Sequence, residues 1–363
     1  MVLNSFQTSG SSPTHARCQV GLLGFGPVGA AIARRLTSPD SPSSLQLTHI
    51  CDRRAREKRD RASEALASLS WTDRFDDLLT SGADIIVDAV SGSEPASDYV
   101  RATLLAGKSA VTLSKQVIAH HGPALLTLAE RQGRQLRYEG AVGGAMPIVR
   151  LLADGMAGDR VRRLDAILNG TSNAVLSRME ASGCGVDEAI AEACAAGYAE
   201  ADPSVDLDGA DAAAKLAVLC ALAFGLRVLP AQIDAHPTST IVPEDFRDAR
   251  ERGGTIRQIA HAECDRDRLV LTAWVAPRFV PGSSVFARTT GPGNAAVIHG
   301  QYGGDVTLTG VGAGADALAV AAISDLTAIA RDRAAIVPAP VVTDPGALCG
   351  LGDQKITSIR GAV

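Results

Sequence analysis

The chain is short of lysine. Of its 35 Lys plus Arg residues only five are lysine: Lys58, Lys108, Lys115, Lys215 and Lys355. Arginine is the default cation, and it keeps its proton at ordinary pH, whereas a desolvated lysine can release one. Proton transfer through an amine is therefore confined to very few positions. Other absences narrow the class further. The longest apolar run, around residues 216–226, is far shorter than the ~20 residues a bilayer-spanning helix needs. There is no Lys/Arg stripe of the kind that grips nucleic acid, and the net charge of -5 is mild. The seven cysteines are scattered, odd in number and form no CxxC pair. That argues for reduced thiols in a cytoplasmic protein over a zinc or disulfide framework. The opening stretch MVLNSFQTSGSSPTHAR lacks the apolar core of a signal peptide and reads as a disordered leader, residues 1–17. No repeat is visible. Neither a membrane nor a nucleic acid is expected as partner.

What is present is an apolar fraction of 46% over 363 residues, enough for two domains. Residues 18–145 alternate strand and helix. CQVGLLGFG, LQLTHICD, DIIVDAV, SAVTL and QLRYEG read as strands, with helices at PVGAAIARRL and near 95–106 and 122–132. Such alternation implies βαβ units and a parallel sheet. From residue 146 the pattern changes. VRRLDAIL, LVLTAWVA and DVTLTG read as strands, and helices are expected near 171–180, 187–196 and 206–225. The second domain is taken as 146–310, a closing helix as 311–330, and the Pro- and Gly-rich remainder, 331–363, as a loose tail. The expected class is α/β: a Rossmann-type parallel-sheet domain followed by an α+β domain.

GFGPVG places Gly24, Gly26 and Gly29 in GxGxxG spacing between a strand and a helix, with Phe25 and Val28 among them. The first glycine permits a tight turn, the second lets backbone approach a pyrophosphate, and the third packs helix on strand. The helix N-terminus offers free N–H groups to the anion. A purely structural turn is the alternative. Asp52 ends the second strand, where an acid holds the adenosine ribose hydroxyls. Arg53 and Arg54 follow, as a solvated charge run or as partners for a 2′-phosphate; the cofactor is read as NADP or NAD, with a lean to NADP.

The stretch DGADAAAKLAVLCALAFG is apolar all round from Ala212 to Phe224, except at Lys215. A helix without a polar face is buried, and a buried ammonium requires a partner. Asp211 stands four residues earlier on the same face. Glu200, Asp206 and Asp208 precede it. A surface ion pair is the competing reading, weakened by the apolar surroundings. Lys115 sits at the end of the strand SAVTL, where ligands of parallel sheets bind, or is a surface lysine. In NGTSN, Asn169 could line a site while Thr171 or Ser172 caps a helix. GVGAG (310–314) reads either as a simple turn or as backbone approaching a cofactor.

Four segments together resemble homoserine dehydrogenase: AGKSAVTLSKQVIAHHG (106–122), YEGAVGGAMPI (138–148), LNGTSNAVLSRM (168–179) and GYAEADPSVDLDGADAAAKLAVL (197–219). GVGAGADALAVAAISDL (310–326) is similar to that family's glycine segment and closing helix. The resemblance covers residues 18–330. It implies NAD(P)-dependent interconversion of L-aspartate 4-semialdehyde and L-homoserine, on the route to threonine, methionine and isoleucine. It implies a homodimer whose second domain supplies the substrate site and the interface. Position by position, it implies that Lys215 is the acid/base and Lys115 a second lysine beside the nicotinamide. Glu200 and Asp211 would bind substrate, with Asp206 in support, and Gly312 would approach the cofactor. It further implies a monovalent cation, sodium or potassium, on the backbone carbonyls of Glu139, Val142, Gly144 and Met146. The family's ACT regulatory domain is not expected, because about 30 residues follow the closing helix. The chain departs from the family at Leu113, Ser114 and Ser172 and after the glycines of 310–314. A paralogue acting on a related amino-acid aldehyde is thus one alternative. A non-catalytic nucleotide sensor is another, disfavoured by the joint presence of Lys115, Glu200, Asp211 and Lys215.

Overall fold

The computed structural model describes residues 17–90, 92, 94–198 and 202–351. Six strands form the first sheet: β1 (Cys18–Leu23), β2 (Leu45–Cys51), β3 (Ser70–Thr72), β4 (Ile85–Asp88), β5 (Ser109–Thr112) and β6 (Leu136–Arg137). All pairs are parallel, in the order β3-β2-β1-β4-β5-β6. This is the doubly wound Rossmann order, with its switch point between β1 and β4, and the crevice beyond the strand C-termini there is where ligands lodge. Val20, Leu22, Ile85 and Val87 are buried because helices cover both faces.

The second sheet contains β7 (Val161–Ile167), β8 (Asp234–Ala235), β9 (Gly254–Asp265), β10 (Val270–Pro281), β11 (Gly293–Gly300), β12 (Asp305–Val311) and β13 (Ala347–Cys349). Its order is β12-β11-β7-β9-β10-β13, with β8 also on β10. Alternation along the strands separates its two faces. Leu164, Ala166, Ala260, Ala262, Leu271, Ala273, Ala296 and Ile298 share one core with Leu216, Leu219 and Cys220 of the Ala210–Phe224 helix. Each such Leu or Ile contributes roughly 1.5–3 kcal/mol on burial. The opposite face carries the cross-strand row Trp274, His261, Asp165 and Val297. The Ala315–Arg331 helix leaves this sheet and packs Ala319, Ala322, Ile323 and Leu326 into the core of the first.

Several elements differ from the sequence reading. The helix expected from 122 starts at Lys115 and runs to Arg131, with Pro123 inside it. The Ser114 side chain caps it by accepting from the Val117 N–H, so Lys115 opens a helix rather than closing a strand. The helix expected over 206–225 is two, Ser204–Leu207 and Ala210–Phe224. Gly209, at φ +89°, breaks them apart. Strands β9 and β11 were not foreseen. In β9, Arg257 and Gln258 are buried, which erases the polar–apolar alternation that marks a strand. Part of the stretch read as a loose tail is fastened down. Thr343 exchanges backbone hydrogen bonds with Gly225 and Arg227, and β13 pairs with β10.

Candidate active site

At the switch point the three glycines do separate jobs. A Cβ on Gly24 would stand 2.9 Å from the Ala89 carbonyl oxygen, and the residue has φ +92°. A Cβ on Gly29 would fall 2.0 Å from the Gly24 oxygen, so the Pro27–Leu36 helix can approach the turn only without one. Gly26 meets nothing within 4 Å and faces open space at the helix N-terminus. Val28 packs against the first-sheet core. Beside the loop lies a cavity of about 510 Å³ lined by Gly24, Gly26, Asp52, Arg53, Lys58 and Tyr99, among others.

Asp52 is already engaged. Its Oδ2 accepts from the Phe25 N–H at 2.8 Å and from Lys58 Nζ at 2.6 Å, and its Oδ1 accepts from the Arg54 N–H at 2.9 Å. Burial pushes its carboxyl up, but the Lys58 and backbone hydrogen bonds outweigh that and hold it below its ordinary value. Lys58 also donates to the Phe25 carbonyl at 2.9 Å, tying the glycine loop to the end of β2. Sequence reasoning counted Lys58 but gave it no role. Its position six residues past the strand-end acid was the available signal.

The reactive cluster is built from three elements. Lys115 comes from the start of its helix, Asp211 and Lys215 from the first turns of the Ala210–Phe224 helix, and Asn169 from the N-cap of the Gly170–Ser182 helix. Asp211 bridges both lysines, with Lys115 Nζ at 2.8 Å from Oδ1 and Lys215 Nζ at 2.6 Å from Oδ2. Lys215 donates also to the Leu168 carbonyl at 2.8 Å. The Asn169 amide donates to Asp211 at 2.8 Å and to Asp206 at 2.7 Å, while its oxygen accepts from the Ser172 N–H. Asn169 is therefore both the helix cap and the link between the carboxylates. The Asp211 side chain is 7% exposed. Burial would raise its carboxyl, but Lys215 and Lys115 dominate and hold it well below the usual carboxylate range. The surface ion-pair reading of Asp211 and Lys215 fails on this burial. Thr171 donates to the Tyr198 carbonyl. Glu200 lies outside the described residues.

The segment around Gly312 packs beside Gly170, the residue that follows Asn169. The Gly312 N–H donates to the Pro292 carbonyl, and a Cβ there would strike the Asn294 amide at 2.1 Å. A Cβ on the neighbouring Gly170 would lie 2.9 Å from the same Pro292 oxygen. Gly144, at φ +65°, would meet the Val311 and Gly312 oxygens at 2.5 and 2.6 Å. Among the described residues the buried carbonyls of Val142 and Gly144 accept no backbone hydrogen bond, whereas those of Glu139 and Met146 accept one each. The Glu139 side chain caps the next helix, accepting from the Val149 and Arg150 N–H groups. The two departures next to Lys115 are absorbed by packing. Leu113 lies against Gly140, and Ser114 caps a helix and donates to the Gly92 carbonyl.

A Rossmann sheet with its glycine loop, joined to a second domain that brings two lysines onto one buried aspartate, defines a two-domain NAD(P)-dependent oxidoreductase. The chain matches the family model described as homoserine dehydrogenase over residues 147–327, and the model of that family's NAD-binding domain over 24–139. The chain belongs to the homoserine dehydrogenase family. It is 35% identical over 324 residues to a homoserine dehydrogenase of Mycobacterium tuberculosis, covering 86% of this chain and 72% of that one. The crystal structure of a homoserine dehydrogenase from Thiobacillus denitrificans superposes with TM-score 0.84 at 30% identity, covering 92% of this chain and 80% of the other. A hyperthermophilic archaeal homoserine dehydrogenase in complex with NADPH shares the fold, with TM-score 0.72 at 24% identity over 87% of this chain and 98% of that chain.

Proposed function

We propose that the chain reduces L-aspartate 4-semialdehyde to L-homoserine, and runs the reverse reaction, with Lys215 as acid/base. The observation that carries this is the bridging of Lys115 and Lys215 by one buried Asp211. A nicotinamide held at this switch point would supply hydride to the aldehyde carbon, or take it back from the carbinol carbon of homoserine. As the carbonyl oxygen gains charge, Lys215 delivers a proton to it, and in the oxidative direction takes that proton from the hydroxyl. Lys115 sits on the other Asp211 oxygen and stabilises the developing alkoxide. Asp211 carries three donors, and a carboxylate has roughly four acceptor positions, which leaves one for the substrate ammonium. Asp206, held by the same Asn169 amide, supports that carboxylate, and Glu200 is proposed as a second substrate-binding acid.

For the cofactor we infer a preference for NADP. Lys58 neutralises Asp52, and Arg53 lines the same cavity, so a 2′-phosphate meets positive charge there. The Val142 and Gly144 carbonyls, which accept no backbone hydrogen bond among the described residues, suit a hard monovalent cation, with Glu139 and Met146 contributing theirs. Homodimerisation through the Trp274–Val297 face of the second sheet, in the cytoplasm, completes the reading. Among the described residues no helix is long and apolar enough to cross a membrane. The test is oxidation of L-homoserine with each cofactor. Folded, nucleotide-binding protein that turns over neither would overturn the proposal.

A further inference from the structure

Asn294 is the second residue of β11, on the face that Ala296 and Ile298 turn to the core. It is 0% exposed, yet neither its amide nitrogen nor its carbonyl oxygen has a hydrogen-bond partner among the described residues. A carboxamide offers two donors and an acceptor oxygen, and leaving all of them unmet in the interior is destabilising. An apolar residue of the same shape would avoid that cost. Packing alone therefore does not account for an amide at this position.

Its surroundings divide into a fixed post and a sparingly bonded segment. On the fixed side, the Asn173 amide donates to the Thr289, Gly291 and Gly293 carbonyls at 3.1, 2.9 and 3.2 Å, which sets the turn leading into β11. Asn294 is in register with Gly310 of β12, and the next residue, Ala295, with Ile167 of β7. Ile167 adjoins Leu168, whose carbonyl holds Lys215. On the other side the carboxamide lies directly against Gly312, where a Cβ would fall 2.1, 2.2 and 2.6 Å from its Oδ1, Cγ and Nδ2. The 312–314 segment is held at its start by the Gly312 N–H, which donates to the Pro292 carbonyl at 3.2 Å. Among the described residues the Gly312 carbonyl and the Ala313 and Gly314 N–H groups make no hydrogen bond. A Cβ on Gly170 would lie 3.3 Å from that of Ala313, so the segment also borders the residue after Asn169.

We propose that Asn294 is a positioning residue for hydride transfer, acting through the 312–314 backbone. When the dinucleotide binds, the segment turns toward the carboxamide. Nδ2 then donates to the Gly312 carbonyl, and the Gly314 N–H donates to Oδ1. These two backbone groups bracket Ala313 and point to one side of an extended chain, which is the spacing a carboxamide can take. Asn294 is covered by Gly312 and touches neither substrate nor dinucleotide. It fixes the height of the segment beside the cofactor, a role that rests on the reading of 312–314 as facing the nicotinamide. An amide satisfied only in the working state explains why the resting state carries it at a cost in stability.

The test is Asn294→Leu in the full chain, which keeps the branched shape and removes both polar atoms. Hydrogen–deuterium exchange with and without NADP follows the 312–314 segment and the glycine loop. In the native protein NADP should slow exchange at Gly314 by at least about tenfold. In the variant that protection should vanish at Gly314 and persist at the glycine loop, with NADP affinity within about threefold of native. The variant's Tm should equal or exceed the native value, while kcat for homoserine oxidation falls by at least about tenfold. The isotope effect with homoserine deuterated at the carbinol carbon should rise, because hydride transfer has become the slower step. Asn294→Ala, too small to press on Gly312, gives the same exchange and kinetic readouts if the leucine variant does not fold. Unchanged Gly314 protection, a native kcat and isotope effect, or a lowered Tm together with weakened NADP binding in folded Asn294→Leu would each overturn the proposal. Failure of the native protein itself to oxidise homoserine would overturn the dehydrogenase reading and this role with it, whereas native turnover with an unaffected variant overturns this role alone.

Discussion

Replacing Asp211 by asparagine tests the core of the site with almost no change in volume. The substitution removes the negative charge that lies 2.8 Å from Lys115 and 2.6 Å from Lys215. Two ammonium groups then face each other across a neutral amide. Removing one partner of a buried ion pair costs about 3–5 kcal/mol. The lower end applies here, because the Lys115 side chain is 32% exposed and solvent screens that arm. We expect stability to fall by about 3 kcal/mol. The pH profile follows from the depressed carboxyl of Asp211. A group with a lowered folded pKa contributes stability above its unfolded value, about 3.9 for aspartate, and loses it as pH falls toward the folded value. The gap between native protein and Asp211→Asn should therefore be constant from pH 5 to neutral and shrink in stronger acid. Activity should fall by at least about 10² in kcat, because Lys215 keeps its Leu168 contact but loses the carboxylate that orients it. Denaturant titrations between pH 3.5 and 8, with steady-state kinetics on the same samples, measure both. Equal stability of the two proteins at neutral pH, or a kcat within a few-fold of native, would refute the view that Asp211 organises the lysines.

Lys215→Arg retains positive charge but cannot release it at working pH, so kcat should fall by at least about 10², with melting temperature and cofactor affinity nearly unchanged; near-normal turnover would move the proton to Lys115 or a water. Lys58→Ala frees Asp52 and removes a cation from the adenosine end, so the ratio of kcat/KM for NADP over NAD should drop by about tenfold; an unchanged ratio would remove Lys58 from the specificity account. Gly29→Ala places a methyl 2.0 Å from the Gly24 oxygen, and overpacking of this kind costs roughly 1–3 kcal/mol, so nucleotide affinity and thermal stability should fall together in a binding and melting series. Trp274→Glu puts a charge into the half-buried row of the second sheet and should shift the proposed dimer to monomer in sedimentation velocity, with a native sedimentation profile counting against that interface.

What was legible in the sequence was whatever a local constraint dictates. The glycine loop is readable because Gly24 needs a positive φ and Gly29 must lack a Cβ, whatever surrounds them. Lys215 is readable because a single cation in an otherwise apolar helix demands a partner, and Asp211 lies four residues away. The wiring of Asn169 to Asp211 is different in kind. It joins residues 42 apart, and its geometry exists only once the Gly170–Ser182 helix and the Ala210–Phe224 helix have docked on the second sheet. Strand β9 was hidden for a related reason. Arg257 is fully buried because Thr289, Ala287 and Ile256 carbonyls and Glu180 surround it, so a residue that marks a surface by composition here marks an interior. The 335–340 segment was misread because Pro and Ala there resemble a linker, while the contacts that fasten it engage its own backbone groups, the Asp332 carbonyl and the Thr343 N–H and carbonyl. Backbone groups carry no side-chain signature, so a docked strap and a free tail look alike in sequence. That blind spot hides architecture as well as contacts, because residues 335–340 form one wall of the cavity beside Arg137 and Asp325.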